Sequence, residues 1–151
     1  TAQFAQENAI DITYVGLEAH PVEEQIWKAI NYINEPEAAA FYLQMMDSPF
    51  NETHPLHPYF TLQKIASTVQ DWTSTQKFDL IYYDAFGPRA QAEMWALSVF
   101  EKLYSLLNAG GVLVTYCAQG QFKRHLKSHG MQVEGLPGPP GKREMTRAKK
   151  N

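Results

Sequence analysis

Ile81-Tyr82-Tyr83-Asp84-Ala85-Phe86-Gly87-Pro88-Arg89 opens as a buried strand and closes as a turn. Leu80 to Tyr83 form an unbroken apolar and aromatic run, the pattern of a strand covered on both faces. An acid, Asp84, follows at once, and Gly87-Pro88 stops the strand. Burying a carboxylate without a partner or a task is costly, so an acid at this point needs a reason. Either Asp84 caps the next helix, with Gly87 and Pro88 shaping the turn, or it faces a ligand.

Similar runs lie on either side. Residues 11–18 are β-branched and apolar, and they too end in an acid, Glu18. Residues 59–65 alternate like a strand, and 112–116 form another buried run behind Gly110-Gly111. Helical spacing appears at 22–33, with Pro21 before it and Glu23 and Glu24 in its first turn, and again at 92–107. Residues 2–8 read as the end of a helix, 122–129 as a short basic helix, and 131–133 and 143–148 as closing strands. Residues 34–58, rich in Pro, Asn and His, read as an insertion or long connection with a short helical piece at 38–45. Strands that alternate with helices predict an α/β fold, a mostly parallel sheet with helices on both faces. Ligands of such sheets gather beyond the carboxyl ends of the strands. Glu18 and Asp84 are therefore expected to face one cleft.

A chain of 151 residues with 44% apolar side chains fits one globular domain, 1–151. No apolar run approaches the roughly 20 residues that span a bilayer, so no membrane is expected. The one cysteine, Cys117, excludes an intrachain disulfide and fits a reducing cytoplasm. Thr1 opens on what reads as mid-helix, so an upstream segment is expected to be missing. The net charge of −3 hides an asymmetry. Residues 1–122 carry 5 basic and 14 acidic side chains, whereas 123–151 carry 8 basic and 2 acidic. A local basic face can bind a polyanion whatever the overall sign. Lys149-Lys150-Asn151 read instead as a solvated, frayed end.

Glu18, after its strand, suits the acid that accepts hydrogen bonds from a nucleotide ribose; the alternative is an exposed loop acid. The glycine-rich turn that normally lies about 20 residues earlier would fall just before Thr1. His54 and His57 lack a Cys or acid cluster, and His125 and His129 lack the HExxH context, so all four read as surface histidines and no metal is expected. Cys117 reads as a small buried residue.

Four motifs together resemble one family. Tyr83-Asp84-Ala85-Phe86-Gly87-Pro88 followed by Glu93-Met94-Trp95 is similar to its D-[AG]-F-x-P…[LM]-W signature. Gly110-Gly111-Val112-Leu113-Val114-Thr115-Tyr116, Gly120-Gln121-Phe122-Lys123-Arg124-His125-Leu126 and Gly141-Lys142-Arg143-Glu144-Met145 follow in the family's order. The family is that of bacterial tRNA wobble-uridine methyltransferases, the stand-alone MnmD enzymes and the methyltransferase half of bifunctional MnmC. The resemblance spans about residues 9–148.

It implies a Rossmann-like class I methyltransferase fold, N-terminally incomplete in that the first strand and glycine-rich loop lie upstream. The implied cofactor is S-adenosyl-L-methionine, and the implied substrate is 5-aminomethyl-2-thiouridine at the wobble position of tRNA. Residue by residue, Glu18 and Ala19 match the ribose-holding segment, and Asp84 and Ala85 match the segment beside the methyl donor. Asp84 is also the implied catalytic acid–base group. Phe86 and Pro88 would meet the base, with Phe86 as plain core the alternative. Lys123, Arg124, Lys142 and Arg143 would meet the anticodon stem-loop. Where many members carry an acid toward adenine, this chain has Lys64-Ile65-Ala66-Ser67. An FAD-dependent oxidase domain is an implied fusion or functional partner. Two rival readings are an aminopropyl transferase resembling spermidine synthase and a catalytically idle RNA-binding domain. Trp95, on the apolar face of its helix, reads as core.

Overall fold

Parallel pairing at two places in the chain sets its architecture. The computed structural model describes residues 1–30, 33–138, 140–141 and 144–151, as two compact units, Thr1–Trp72 and Thr73–Asn151.

In the first unit, α1 (Ala2–Asn8) ends at Ala9, whose φ of 52° turns the chain toward β1 (Ile12–Leu17). β1 pairs in parallel with β3 (Phe60–Ile65), in a register from Ile12 opposite Phe60 to Leu17 opposite Ile65. Between them lie α2 (Glu24–Lys28), α3 (Pro36–Asp47) and β2 (Thr53–His57). β2 runs antiparallel to β3, giving the order β1-β3-β2. The expected 34–58 connection is thus a helix and a strand. Pro36 sits at the start of α3, where its missing N–H costs nothing. Pro55 is tolerated because β2 is an edge strand, and the register shifts between Pro55 and His57. The helix expected over 22–33 is confined to Glu24–Lys28; Asn31 and Tyr32 lie outside the described residues. Buried Ala5, Phe60 and Leu62 form the core here, with Ile12, Tyr14, Phe41 and Met45 packed around them.

The second unit holds β4 (Phe78–Tyr82), β5 (Leu107–Thr115), β6 (Gln132–Pro137) and β7 (Glu144–Lys149) in the order β4-β5-β7-β6. β4 and β5 are parallel, and β7 is antiparallel to both β5 and β6. The described sheets are therefore mixed rather than mostly parallel. β2–β3 and β6–β7 follow one another directly in the chain, and adjacent segments pair antiparallel because a parallel pair needs a long crossover.

The helix expected over 92–107 breaks in two. A 3-10 turn, Ala92–Trp95, is followed by extended Ala96 and then α4 (Leu97–Leu106). Gly110-Gly111 lies inside β5, not at a helix end. Gly110 has φ +76°, and a Cβ on Gly111 would lie 2.9 Å from the Asn108 carbonyl oxygen and 3.0 Å from that of Phe78. Two glycines permit this bend in a strand that must stay close to β4.

Leu113 and Thr115 of β5 and Thr146 and Ala148 of β7 are buried, as are Val99, Phe100, Leu103 and Leu106 of α4 and Phe122 and Leu126 of α5 (Gly120–Ser128). On the other face Val112, Gln132, Glu134, Arg147 and Lys149 line a groove of about 490 Å³. Among this unit's described residues, then, one sheet face has the apolar cover expected on both. The C-terminus is not frayed. Lys149 belongs to β7, and Lys150 exchanges backbone hydrogen bonds with Gly110 and Gly111 at 3.0 and 2.9 Å. Its Nζ donates to the carbonyls of Tyr104 and Leu107 at 2.8 and 2.9 Å and lies 4.2 Å from the Tyr104 ring centroid.

Candidate functional site

Glu18 extends the β1–β3 ladder by one step, its N–H donating to the Ile65 carbonyl at 3.0 Å. The side chain is exposed, and Oε1 accepts the His20 N–H at 2.9 Å. It lies at a cavity of about 550 Å³ whose walls include Tyr14, Trp27, Phe41 and Phe60. A carboxylate acceptor beside aromatic walls suits a nucleoside, which pairs a diol with a flat apolar base. Lys64 also lines this cavity. Its Nζ donates to the Met46 carbonyl at 2.6 Å and lies 4.7 Å from the Phe50 ring centroid, and burial holds its pKa below the usual lysine range. Ala19, next to Glu18, is exposed.

In the second unit the ladder ends at Tyr83, whose N–H donates to the Val114 carbonyl at 2.8 Å. Asp84 follows with its side chain exposed, so it is not a buried acid. Nor does it cap a helix: the next helical turn begins after Gln91. Phe86 is 74% exposed, which removes it from the core. Pro88 is half-buried.

Three consecutive carbonyls beyond Asp84 have donors. The Tyr116 hydroxyl donates to Ala85, Trp95 Nε1 to Phe86 at 2.7 Å, and the Ala90 and Gln91 N–H groups to Gly87 at 2.8 and 3.1 Å. Tyr83 donates its hydroxyl to the Met94 carbonyl, and burial followed by the nearby Tyr116 pushes its phenol far above the ordinary range. Trp95, expected as core, is half-buried and spends its indole N–H on the acid loop.

The basic residues divide. Lys123 Nζ is paired with Glu144 Oε1 at 2.8 Å, which lowers its value as a phosphate ligand. That carboxylate passes so close over Gly135 that any Cβ there would overlap it. Arg124 and Lys127 are exposed on α5. Lys142 and Arg143 lie outside the described residues. His54 and His129 each approach a glutamate, Glu52 and Glu101, at 3.7 and 3.9 Å. Among the described residues no group of three His, Cys, Asp or Glu could hold a metal, and no helix is long and apolar enough to cross a membrane.

Tyr116 and Trp95 stand inside the quoted motifs, but motif reading assigned neither a part in shaping the acid loop, whose carbonyls both meet as donors. One signal was present. Tyr116 closes the apolar run 112–116, just past the end of β5, and a tyrosine at a strand end brings an apolar ring with a polar tip.

Parallel strands running into exposed acids, one of them at a cavity with aromatic walls, fit a Rossmann-like class I methyltransferase fold. The crystal structure of MnmC2 from Aquifex aeolicus is similar at a TM-score of 0.76, over 99% of this chain and 47% of that one, with 18% identity, a likeness of fold. The family model described as S-adenosyl-L-methionine-dependent methyltransferase matches residues 51–151, and the chain belongs to that family. Membership sets aside the aminopropyl-transferase alternative. The "tRNA 5-methylaminomethyl-2-thiouridine biosynthesis bifunctional protein MnmC" of Cupriavidus metallidurans is 42% identical over 71 residues, 47% of this chain and 11% of that protein. The protein of the same name from Hahella chejuensis is 38% identical over 88 residues, 57% and 14%. The chain thus matches a small part of each of these relatives.

The residues present fit S-adenosyl-L-methionine in its nucleoside half. Glu18 is the acceptor at the cavity that would hold the ribose, and the aromatic walls suit the adenine; Ala19 is not among the residues that line it.

Proposed function

We propose that this chain methylates the 5-aminomethyl group of wobble 2-thiouridine in tRNA, giving the 5-methylaminomethyl form. The observation that carries the reading is an exposed carboxylate, Asp84, two residues from a 74% exposed phenylalanine, Phe86, on one loop. The relatives' names supply the substrate class. When bound, the cofactor supplies an electrophilic methyl group on a sulfonium. An ammonium has no lone pair, so the amine must first lose a proton. Asp84 accepts it and orients the nitrogen, and positioning supplies much of the rate. Phe86 offers a face on which the extruded base stacks, as single-stranded RNA bases do on aromatics. Arg124, with Lys142 and Arg143, meets phosphates. Such chemistry belongs in the cytoplasm, and an FAD-dependent oxidase is the natural functional partner.

The test is transfer of labelled methyl groups, in the full chain, to tRNA that ends in the 5-aminomethyl group. Incorporation is expected there and not into tRNA bearing an unmodified wobble uridine. Equal labelling of both, or of neither, overturns the reading. Phe86→Ala is expected to weaken tRNA binding by about 1–3 kcal/mol, the usual worth of one base–aromatic stack, with an unchanged thermal midpoint.

Salt dependence separates the basic residues. Each phosphate contact on single-stranded RNA contributes about −0.7 to the slope of log affinity against log salt. Arg124→Ala is expected to flatten the slope by about that amount. Lys123→Ala, whose charge is already paired with Glu144, should flatten it by less. Filter-binding titrations across salt concentrations check both, and equal slopes for the two variants would show that the Glu144 pair does not matter.

A further inference from the structure

The loop that carries Asp84 is held in an unusual way for an exposed turn. Surface carbonyls commonly face water, yet Ala85, Phe86 and Gly87 each accept a hydrogen bond from within the protein. Two of the donors are side chains on different elements. Tyr116 follows the end of β5, and Trp95 closes the 3-10 turn Ala92–Trp95. The Trp95 donor is not free to swing. The Trp95 indole lies edge-on to Tyr83 and Phe122, with ring centroids 5.3 Å away in both cases, and 6.1 Å from Phe100. The Tyr83 hydroxyl returns to the Met94 carbonyl, so the segment from Tyr83 to Trp95 is stapled from both ends. Tyr116 is a donor throughout the physiological range, because burial, then the Asp84 carboxylate and then Cys117 hold its phenol above the usual tyrosine range.

We propose that Tyr116 and Trp95 are positioning residues that hold the loop 84–88 in its working shape, aiming the Asp84 carboxylate and presenting the Phe86 ring. Both act through backbone carbonyls, so neither needs to touch substrate. The proposal rests on the reading of Asp84 as the group that takes the amine's proton. A loop fixed before the substrate arrives avoids ordering five residues at the moment of reaction, and small misplacements of a reacting group are expensive in rate.

The test uses the full chain with Tyr116→Phe and, separately, Trp95→Phe. Each keeps a ring and deletes the donor. Two readouts are taken beside the thermal midpoint. The first is amide exchange at Ala90 and Gln91, whose bonds to Gly87 depend on the loop's shape. Several-fold faster exchange is expected in both variants, and unchanged exchange overturns the brace whatever the turnover does. The second is steady-state methylation of tRNA. In Tyr116→Phe, kcat is expected to fall on the order of tenfold, with cofactor affinity within about twofold and any rise in KM for tRNA smaller than the fall in kcat. A merely structural tyrosine would lower the thermal midpoint and leave that split absent. Faster exchange with unchanged kcat overturns the positioning role. Should the wild-type chain methylate no tRNA, the proposed function fails, and the exchange measurement still decides the brace by itself.

Discussion

Asp84→Ala is expected to lower kcat for tRNA methylation by about a hundred- to ten-thousand-fold, the usual span for removing a group that moves a proton. Binding should survive. The side chain is exposed on its loop, and the carbonyls that shape the loop belong to Ala85, Phe86 and Gly87. The variant should therefore keep its thermal midpoint and bind tRNA within about twofold of wild type. The deficit should also depend on pH. Raising the pH lets bulk water deprotonate the amine, so the gap between Asp84→Ala and wild type narrows in alkaline buffer. Asp84→Asn keeps the shape without the base and should show the same deficit. Single-turnover rates across pH, with tRNA affinity measured in parallel, check all of these. Turnover within a few-fold of wild type would remove Asp84 from the chemistry and leave Phe86 as a docking residue alone.

How much of this was legible in the sequence varies by element. The strands ending at Leu17 and Tyr82 were readable because β-branched and aromatic residues in series do not suit a solvated loop, but the cover expected on both faces of β4 is not there: Leu80 is 42% and Tyr82 53% exposed. The acids that follow them were placed correctly at strand ends for the same reason. Strand 107–115 was harder, since a Gly-Gly pair after a helical pattern usually marks a helix end. Here tertiary pairing overrides that local signal, because β5 must pass close to Phe78 of β4 where a Cβ would not fit. The helix over 92–107 was too long for a similar reason. Its apolar spacing is genuine, but extended Ala96 interrupts it and lets Trp95 turn toward the acid loop. Charge runs gave the least reliable guidance. Lys123 and Lys150 look alike in sequence to Arg124, yet one pairs with Glu144 and the other anchors two carbonyls. Which lysine finds a partner depends on contacts 21 to 46 residues away, beyond any local pattern.

Phe100→Ala carries the largest stability effect we expect in this chain. The ring is 2% exposed and sits among Phe122 at 4.9 Å, Trp95 at 6.1 Å and Tyr83 at 6.2 Å between centroids. Truncating a buried phenylalanine removes its transfer energy and leaves a cavity, which together cost about 3–5 kcal/mol. Tilted and edge-on ring contacts add to what area alone would give. That is a large share of the roughly 5–15 kcal/mol that holds an ordinary domain folded, so the alanine variant should show a much lower denaturation midpoint at unchanged slope. Phe100→Leu keeps most of the volume and should recover more than half of the loss. The leucine variant is also the informative one for activity. It stays folded but removes one of three rings that fix the Trp95 indole, so its kcat should fall while Phe86→Ala, a change on the exposed side of the same loop, leaves the midpoint where it was. If Phe100→Leu were as active as wild type, the aromatic cluster would serve the core alone, and the direction of the Trp95 N–H would have to be set by Tyr83 and Phe122 without it.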